Sequence, residues 1–360
     1  MSKAAELAAL IGSQTALSNR NIVINGAMQV AQRATSASAK SSAGFHVVDR
    51  FKFINNTSTG AVDIEQSTTV PAGQGFGSSL KVSTSTAKAT LTGTNEFGIQ
   101  QRIEGQNLQV LNHGTSSASK ATLSFWVRSN KTGTYVVWFY KEGSNRNIQR
   151  QFTISSADTW EKKTLTIDGD TSGSIANDNS NELEFFIVLG TGPDRSSGTA
   201  PTTWQTLDNA DRYVGQTVNI LDSTSNNFYL TGVQLEVGEQ ATPFEHRSYA
   251  DELARCKRYF ERWTPDSNSH GIVVSQAYST GQAQLTFPFS EKRAAPTYSV
   301  SGNANLRNAS GDSATASLVS SHAGKQSIFL TYSRGSGLSA GNASMFRLAA
   351  SGYLDLDAEL

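Results

Sequence analysis

Phe228-Tyr-Leu-Thr-Gly-Val-Gln-Leu-Glu-Val-Gly238 and, past a Pro243-containing turn, Ser248-Tyr-Ala-Asp-Glu-Leu-Ala-Arg-Cys-Lys-Arg-Tyr-Phe-Glu-Arg-Trp263 decide how the chain is read. In the first segment Tyr229, Thr231, Val233, Leu235 and Val237 fall on one face, the period of a strand. Gly238 and Pro243 close it. In the second, Ser248 stands as an N-cap, with Asp251 three residues on and Glu252 in the first turn. Tyr249, Leu253, Cys256, Phe260 and Trp263 then recur at steps of four and three, a heptad seam. Asp251/Arg255 and Lys257/Glu261 are spaced to pair. The spacing predicts a helix over 248–262. Its seam runs for about two heptads, short of the roughly three to four that mark a coiled coil. The stripe fits burial on its own domain as well as burial between chains.

Outward from the helix the pattern is β. Candidate strands on its N-terminal side are 22–30, 45–54, 62–66, 80–83, 97–103, 122–127, 134–140, 148–154, 160–167, 183–189, 216–220 and 228–236. Clusters of Gly, Ser and Asn separate them, and no fixed period relates them, which disfavours a β-helix or propeller. So many strands with no helix between them predict a sandwich or jelly roll. After the helix, 272–278 and 282–287 flank the hairpin signal Ser279-Thr-Gly281, and 297–301, 315–320, 327–332, 345–349 and 353–356 follow. A β domain of this size buries little apolar surface alone, so oligomerisation is expected to add burial. At the other end, Ala4, Leu7, Leu10 and Ile11 share one face of a short helical pattern in residues 1–16 that Gly12 ends, marginal without a partner.

Composition limits the function. The 360 residues carry no net formal charge and 17% charged residues, which gives no electrostatic pull toward nucleic acid or an anionic membrane. No apolar run approaches the ~20 residues of a membrane-spanning helix. The single cysteine, Cys256, cannot form an intrachain disulfide and suits folding in a reducing cytoplasm. No signal-peptide pattern is seen at the N-terminus.

Catalytic and metal signals are weak. His46, His113, His246, His270 and His322 lack ligand spacing, so no metal is expected. Gly337-Leu-Ser-Ala-Gly341 has the letters of a nucleophile elbow without a following helix. Asp168-Gly-Asp170-Thr-Ser-Gly173 opens like a calcium loop but has Asn179 at the twelfth place, and the Asp208/Asp211 pair has similar standing. Gly73-Gln-Gly75-Phe-Gly77 departs from the dinucleotide fingerprint, so no cofactor is expected. Glu104, Glu182 and Glu184 are acids that only the fold could bring into a catalytic pair. The aromatics say more. Trp138 and Tyr140 share a strand face, and Trp204 and Tyr213 flank a loop-rich stretch after Gly190. Exposed rings of this kind stack on sugars, and the alternative is that they fill the core.

Five segments carry a resemblance. They are Asn19-Arg-Asn-Ile-Val-Ile-Asn-Gly-Ala-Met-Gln-Val-Ala-Gln-Arg33, Val48-Asp-Arg-Phe51, Gln101-Arg-Ile-Glu-Gly-Gln-Asn107 and Leu123-Ser-Phe-Trp-Val-Arg128. The most specific is Gly232-Val-Gln-Leu-Glu-Val-Gly-Glu-Gln-Ala-Thr-Pro-Phe-Glu-His-Arg247 with the helix at 251–259. With these the chain resembles tail-fibre proteins of short-tailed, T7-like marine bacteriophages, over about residues 1–262. The stretch from Leu123 to Trp160 also looks like jelly-roll carbohydrate-binding modules.

The resemblance implies a non-enzymatic, homotrimeric fibre, folded in the host cytoplasm and carried on the virion. It would hold virion tail or capsid proteins through Leu7, Leu10 and Ile11 and meet a host surface polysaccharide elsewhere. It favours Tyr249, Leu253, Cys256, Phe260 and Trp263 as a trimer interface. The expected fold is mainly β: an anchor and linker (1–20), a jelly-roll or β-sandwich body (21–245), a central helix (246–263) and a small C-terminal β domain (264–360). Trp138, Tyr140, Trp204 and Tyr213 are the expected sugar contacts. The rivals are a head-decorating fibre, a polysaccharide depolymerase and a monomeric cellular glycan-binding module.

Overall fold

The computed structural model describes residues 19–265, 273–308, 311, 313–348 and 352–360. Leu7, Leu10 and Ile11 lie outside the described residues. The protein is mainly β and divides into two compact units, one reaching to Glu252 and including Leu360, the other spanning Leu253–Glu359.

Two six-stranded antiparallel sheets build the first unit. One contains β1 (Ser36–Lys40), β3 (Ala61–Ser67), β4 (Ser79–Thr86), β12 (Asn227–Val237), β6 (Ala121–Ser129) and β9 (Glu161–Ile167), in that order. The other runs β11 (Gln205–Thr206), β8 (Arg146–Ile154), β7 (Gly133–Lys141), β10 (Asn181–Thr191), β5 (Glu96–Glu104) and β2 (Lys52–Asn55). Neighbours in space are mostly distant in sequence, as in a jelly roll. Alternation decides which side chains meet between the sheets. On β7, Tyr135, Val137 and Phe139 join the common core with Phe125, Phe185 and Leu235. Val136 and Trp138 point the other way, into a second apolar cluster on the outer face.

Two segments of the quoted resemblance meet here. The Glu245 carboxylate accepts the backbone N–H of Asn19 and of Asn21, each at 2.7 Å. Asn21 returns the contact to β12, donating to the Val233 carbonyl at 3.1 Å and accepting from the Leu235 N–H. Arg247 donates to the carbonyls of Val23 and Asn21, and Glu252 accepts the Asn25 N–H at 2.6 Å. Gly26 packs so closely that a Cβ would stand 2.0 Å from the Val233 carbonyl oxygen. The expected strand over 22–30 is therefore a set of turns. Asn25 and Met28 have positive φ, and asparagine side chains take the backbone partners a ladder would need. The expected strand over 216–220 is likewise loop, ending in a short 3-10 turn from Ile220, because the Gln216 side chain accepts the Val136 N–H at 2.8 Å.

The second unit holds a three-stranded sheet, β13 (Phe260–Trp263), β22 (Tyr353–Asp357) and β16 (Thr297–Ser301). Beside it is a seven-stranded sheet: β18 (Ser313–Thr315), β17 (Ala304–Arg307), β21 (Ala343–Leu348), β14 (Val273–Ala277), β15 (Gln282–Pro288), β20 (Ser327–Ser333) and β19 (Ser317–Ala323). Its own core gathers Phe287, Leu306, Leu330, Tyr332, Phe346 and Leu356. The expected hairpin forms, with Ala277 opposite Ala283.

The helix is shorter than its spacing predicts. The one α-helix among the described residues, α1, spans Tyr249–Lys257. Its N-cap forms as expected, with the Ser248 hydroxyl accepting the Asp251 N–H at 3.1 Å. The seam does not form. Phe260 and Trp263 belong to β13, where Phe260 faces Asp357 and Trp263 faces Leu354. Arg262 clamps Asp355 with two contacts of 2.7 Å and lies 3.6 Å over the Tyr353 ring. Those long-range bonds, in a segment of strand-favouring aromatics, override the local helical pattern. Cys256 and Phe260 are buried within the chain, Leu253 is half-buried, and Tyr249 and Trp263 are exposed.

Candidate functional site

The outer face of the second jelly-roll sheet gathers the most chemistry. Register sets its rows. Arg102, Glu184, Tyr140 and Asn147 lie side by side across β5, β10, β7 and β8, and Gln100, Phe186, Trp138 and Gln149 form the next row. Three of the four expected sugar contacts meet here. Trp138 and Tyr140 stack at 5.0 Å and 9°, and Tyr213 stands edge-on to Trp138 at 5.9 Å.

Trp204 does not join them. It packs edge-on to His113 at 5.8 Å, under the Lys141 ammonium, and its indole N–H donates to the Asp168 carbonyl at 2.6 Å. Trp138, Trp204 and Tyr213 are buried, which corrects the expectation that they offer open faces to a sugar. The Arg212 guanidinium lies 4.1 Å over the Trp138 ring and 5.0 Å over Tyr213, occupying the faces a sugar would use. Tyr213 also donates its hydroxyl to Glu96 at 2.6 Å. Tyr140 alone is half-exposed, with its hydroxyl bonded to the Asn145 side chain at 3.0 Å.

Polar groups surround that ring. Glu184 is bridged by Arg102 at 3.0 Å. Burial pushes its carboxyl above the usual range, and Arg102 and Arg212 oppose the shift. Glu182, at a bulge two residues before it on β10, is also pushed up by burial. At the far side of the sheet Gln149, Arg150, Gln151, Ala200 and Thr202 line a groove of about 440 Å³. The Gln149 amide donates to the Val214 carbonyl, while its buried side-chain oxygen has no hydrogen-bond partner among the described residues. The face thus offers one accessible ring, Tyr140, and the half-buried Arg102 guanidinium, while Glu184, Asn147 and Gln149 are buried in its rows.

Sequence reasoning missed Arg102 and Arg212 as members of this site. Arg102 sits inside a quoted segment of the resemblance, whereas nothing local links Arg212 to Trp138. The calcium-like loop takes a different part. Asp170 is engaged by Lys141 at 2.7 Å and Arg146 at 2.8 Å, and Asp168 by Lys120 and Arg150. Protein cations hold the charge that a calcium ion would need.

No protein-family model matches the sequence, and no curated protein matches it. Solved structures similar to parts of the chain include the tailspike protein 4 enzymatically active domain of bacteriophage CBA120. There the identity is 12% and the TM-score 0.30, over 61% of this chain and 22% of that one. The carbohydrate-binding module TmCBM61, solved with β-1,4-galactotriose, has 7% identity and a TM-score of 0.30, over 61% of this chain and 99% of its own. A putative sugar-binding protein from Bacteroides thetaiotaomicron has 15% identity and a TM-score of 0.33, over 61% and 100%. The chain spans about a fifth of the tailspike's length. Likenesses this slight carry no argument here, and the jelly roll stands on its own strand order.

Proposed function

We propose that the protein is a bacteriophage virion fibre that binds a host surface glycan without catalysis. The row Arg102, Glu184, Tyr140 and Asn147 carries the binding half of this reading, because it sets the accessible Tyr140 ring near the half-buried Arg102 guanidinium, with Glu184 between them. The virion half rests on the resemblance, whose most specific segment, 232–247, is held to the 19–33 segment through Asn21, Glu245 and Arg247. Three copies would bind by avidity, each contact weak alone. Incubating purified protein with host surface polysaccharide and following binding by surface plasmon resonance tests it. Tyr140→Ala and Arg102→Ala should each weaken binding, and binding unchanged by both would refute the site.

One observation favours a depolymerase as the second reading. Glu182 and Glu184 lie two residues apart on β10, next to a bulge, and burial raises both carboxyls, as a general acid requires. Against it, Arg102 holds the Glu184 carboxylate. New reducing ends in the same incubation, lost in Glu184→Gln, would select the enzyme.

A further inference from the structure

The second unit carries a groove of about 330 Å³, at the low end of the ~300–1,000 Å³ of small-ligand sites. Tyr298, Asn303, Thr315, Ala316, Leu318 and Tyr332 line it. The two tyrosines meet at its base. Their hydroxyls share one hydrogen bond, which uses one of the two hydroxyl hydrogens and leaves the other for a third group. Tyr332 is fixed from behind by the Phe346 ring at 4.7 Å. Burial pushes both phenols up, so they stay protonated donors through neutral pH.

Geometry holds the opposite wall. Gly302 turns the chain from β16 into β17 with φ +81°, and a Cβ there would stand 2.9 Å from the Gly352 Cα. This turn sets Asn303 on the rim, exposed. Leu318, the cross-strand partner of Tyr332, is 43% exposed and gives the groove an apolar surface beside that ring. Among the described residues none that lines the groove is charged.

We propose that this groove binds an uncharged, hydroxyl-rich ligand, one or two pyranose rings of a neutral glycan. An aromatic and aliphatic base packs against the C–H face of a sugar, and phenol, amide and hydroxyl groups meet its hydroxyls. A uronate or sialate would bring a carboxylate into a wall without a cation, which disfavours it. The site is independent of the outer jelly-roll face, where Arg102 and Arg212 stand.

Isothermal titration of the full chain with lactose, maltose, cellobiose and di-N-acetylchitobiose, with digalacturonate as the acidic comparison, tests the proposal. At least one neutral disaccharide should bind more tightly than digalacturonate. Asn303→Ala on the exposed rim and Tyr298→Phe should each weaken it roughly tenfold, as expected when one hydrogen-bond partner is lost. Thr315→Trp, also on the surface, should fill the groove and abolish the neutral-sugar binding that remains in a Tyr140→Ala background, where the outer face no longer contributes. Absence of neutral-sugar binding, binding untouched by the three groove variants, or preference for digalacturonate would overturn the proposal. Binding lost only in Tyr140→Ala would do so too, while sparing the outer-face reading.

Discussion

The Lys141 ammonium lies 2.7 Å from the Asp170 carboxylate, and both side chains are fully buried. Arg146 reaches the same oxygen at 2.8 Å, and Lys141 also donates to the Gly173 carbonyl. Taking one member from a buried charge group leaves the rest uncompensated, at a cost of about 3–5 kcal/mol. Asp170→Asn should reach that range, because it leaves two cations facing each other. Lys141→Met should cost less, since Arg146 still neutralises Asp170. Denaturant titration of both variants reads the difference, and equal losses would show that Arg146 contributes nothing.

The neighbouring His113 sets the acid side of stability. Burial, aided by Lys141, lowers its pKa from the usual value to about 4. The unfolded chain therefore takes the proton first, and folding weakens as pH falls from about 6.5 to 4. The loss should total about 3 kcal/mol at most. Asp170 acts lower. Its burial would raise the carboxyl, but hydrogen bonds from Arg146 and Lys141 hold it at about 2. Its contribution is complete above about 4 and is lost as pH falls to about 2. Urea midpoints at pH 7, 5 and 4 should fall for the native chain and stay flatter in His113→Gln. Parallel curves would assign the acid sensitivity elsewhere.

Trp138 and Tyr140 are neighbours on one face with opposite expected effects. Trp138→Ala empties a buried indole site and should cost about 3–5 kcal/mol. Tyr140→Ala should change stability little and act on ligand binding. Thermal unfolding beside a glycan-binding assay separates them. A Tyr140 variant that unfolds as readily as the Trp138 variant would make the whole cluster structural.

The trimer expected from the sequence needs a test suited to the shorter helix. Phe260→Asp places a charge in a buried position of β13 and should unfold the second unit. Tyr249 is 57% exposed, so Tyr249→Asp should fold. Light scattering on the full chain should give three copies. A drop to one copy in Tyr249→Asp would place the helix at the interface, and an unchanged mass would move the interface off it.

Much of the sandwich was legible because alternation in strands such as β5, β7 and β8 is a local signal. β13 was not. Phe260 and Trp263 satisfy a heptad as readily as a strand, and the choice is made by Asp355 and Tyr353, far away in sequence. β1 has no apolar alternation to read. In the candidate site the shared face of Trp138 and Tyr140 followed from their spacing, while the burial of Trp138 depended on Arg212 and Tyr213 folding back over it. Sequence places a ring on a face; only the fold decides what covers it.

The lock among Asn19, Asn21, Glu245 and Arg247 has a mechanical consequence. It joins the start of the described chain to the segment that leaves the first unit at Glu252. Tension applied at residues 19 and 252 therefore meets this knot of bonds first, and beyond it β12, to which Asn21 is bonded. A body tethered in this way takes a pull at one corner, where both of its ends are fastened, before the strands further in are loaded.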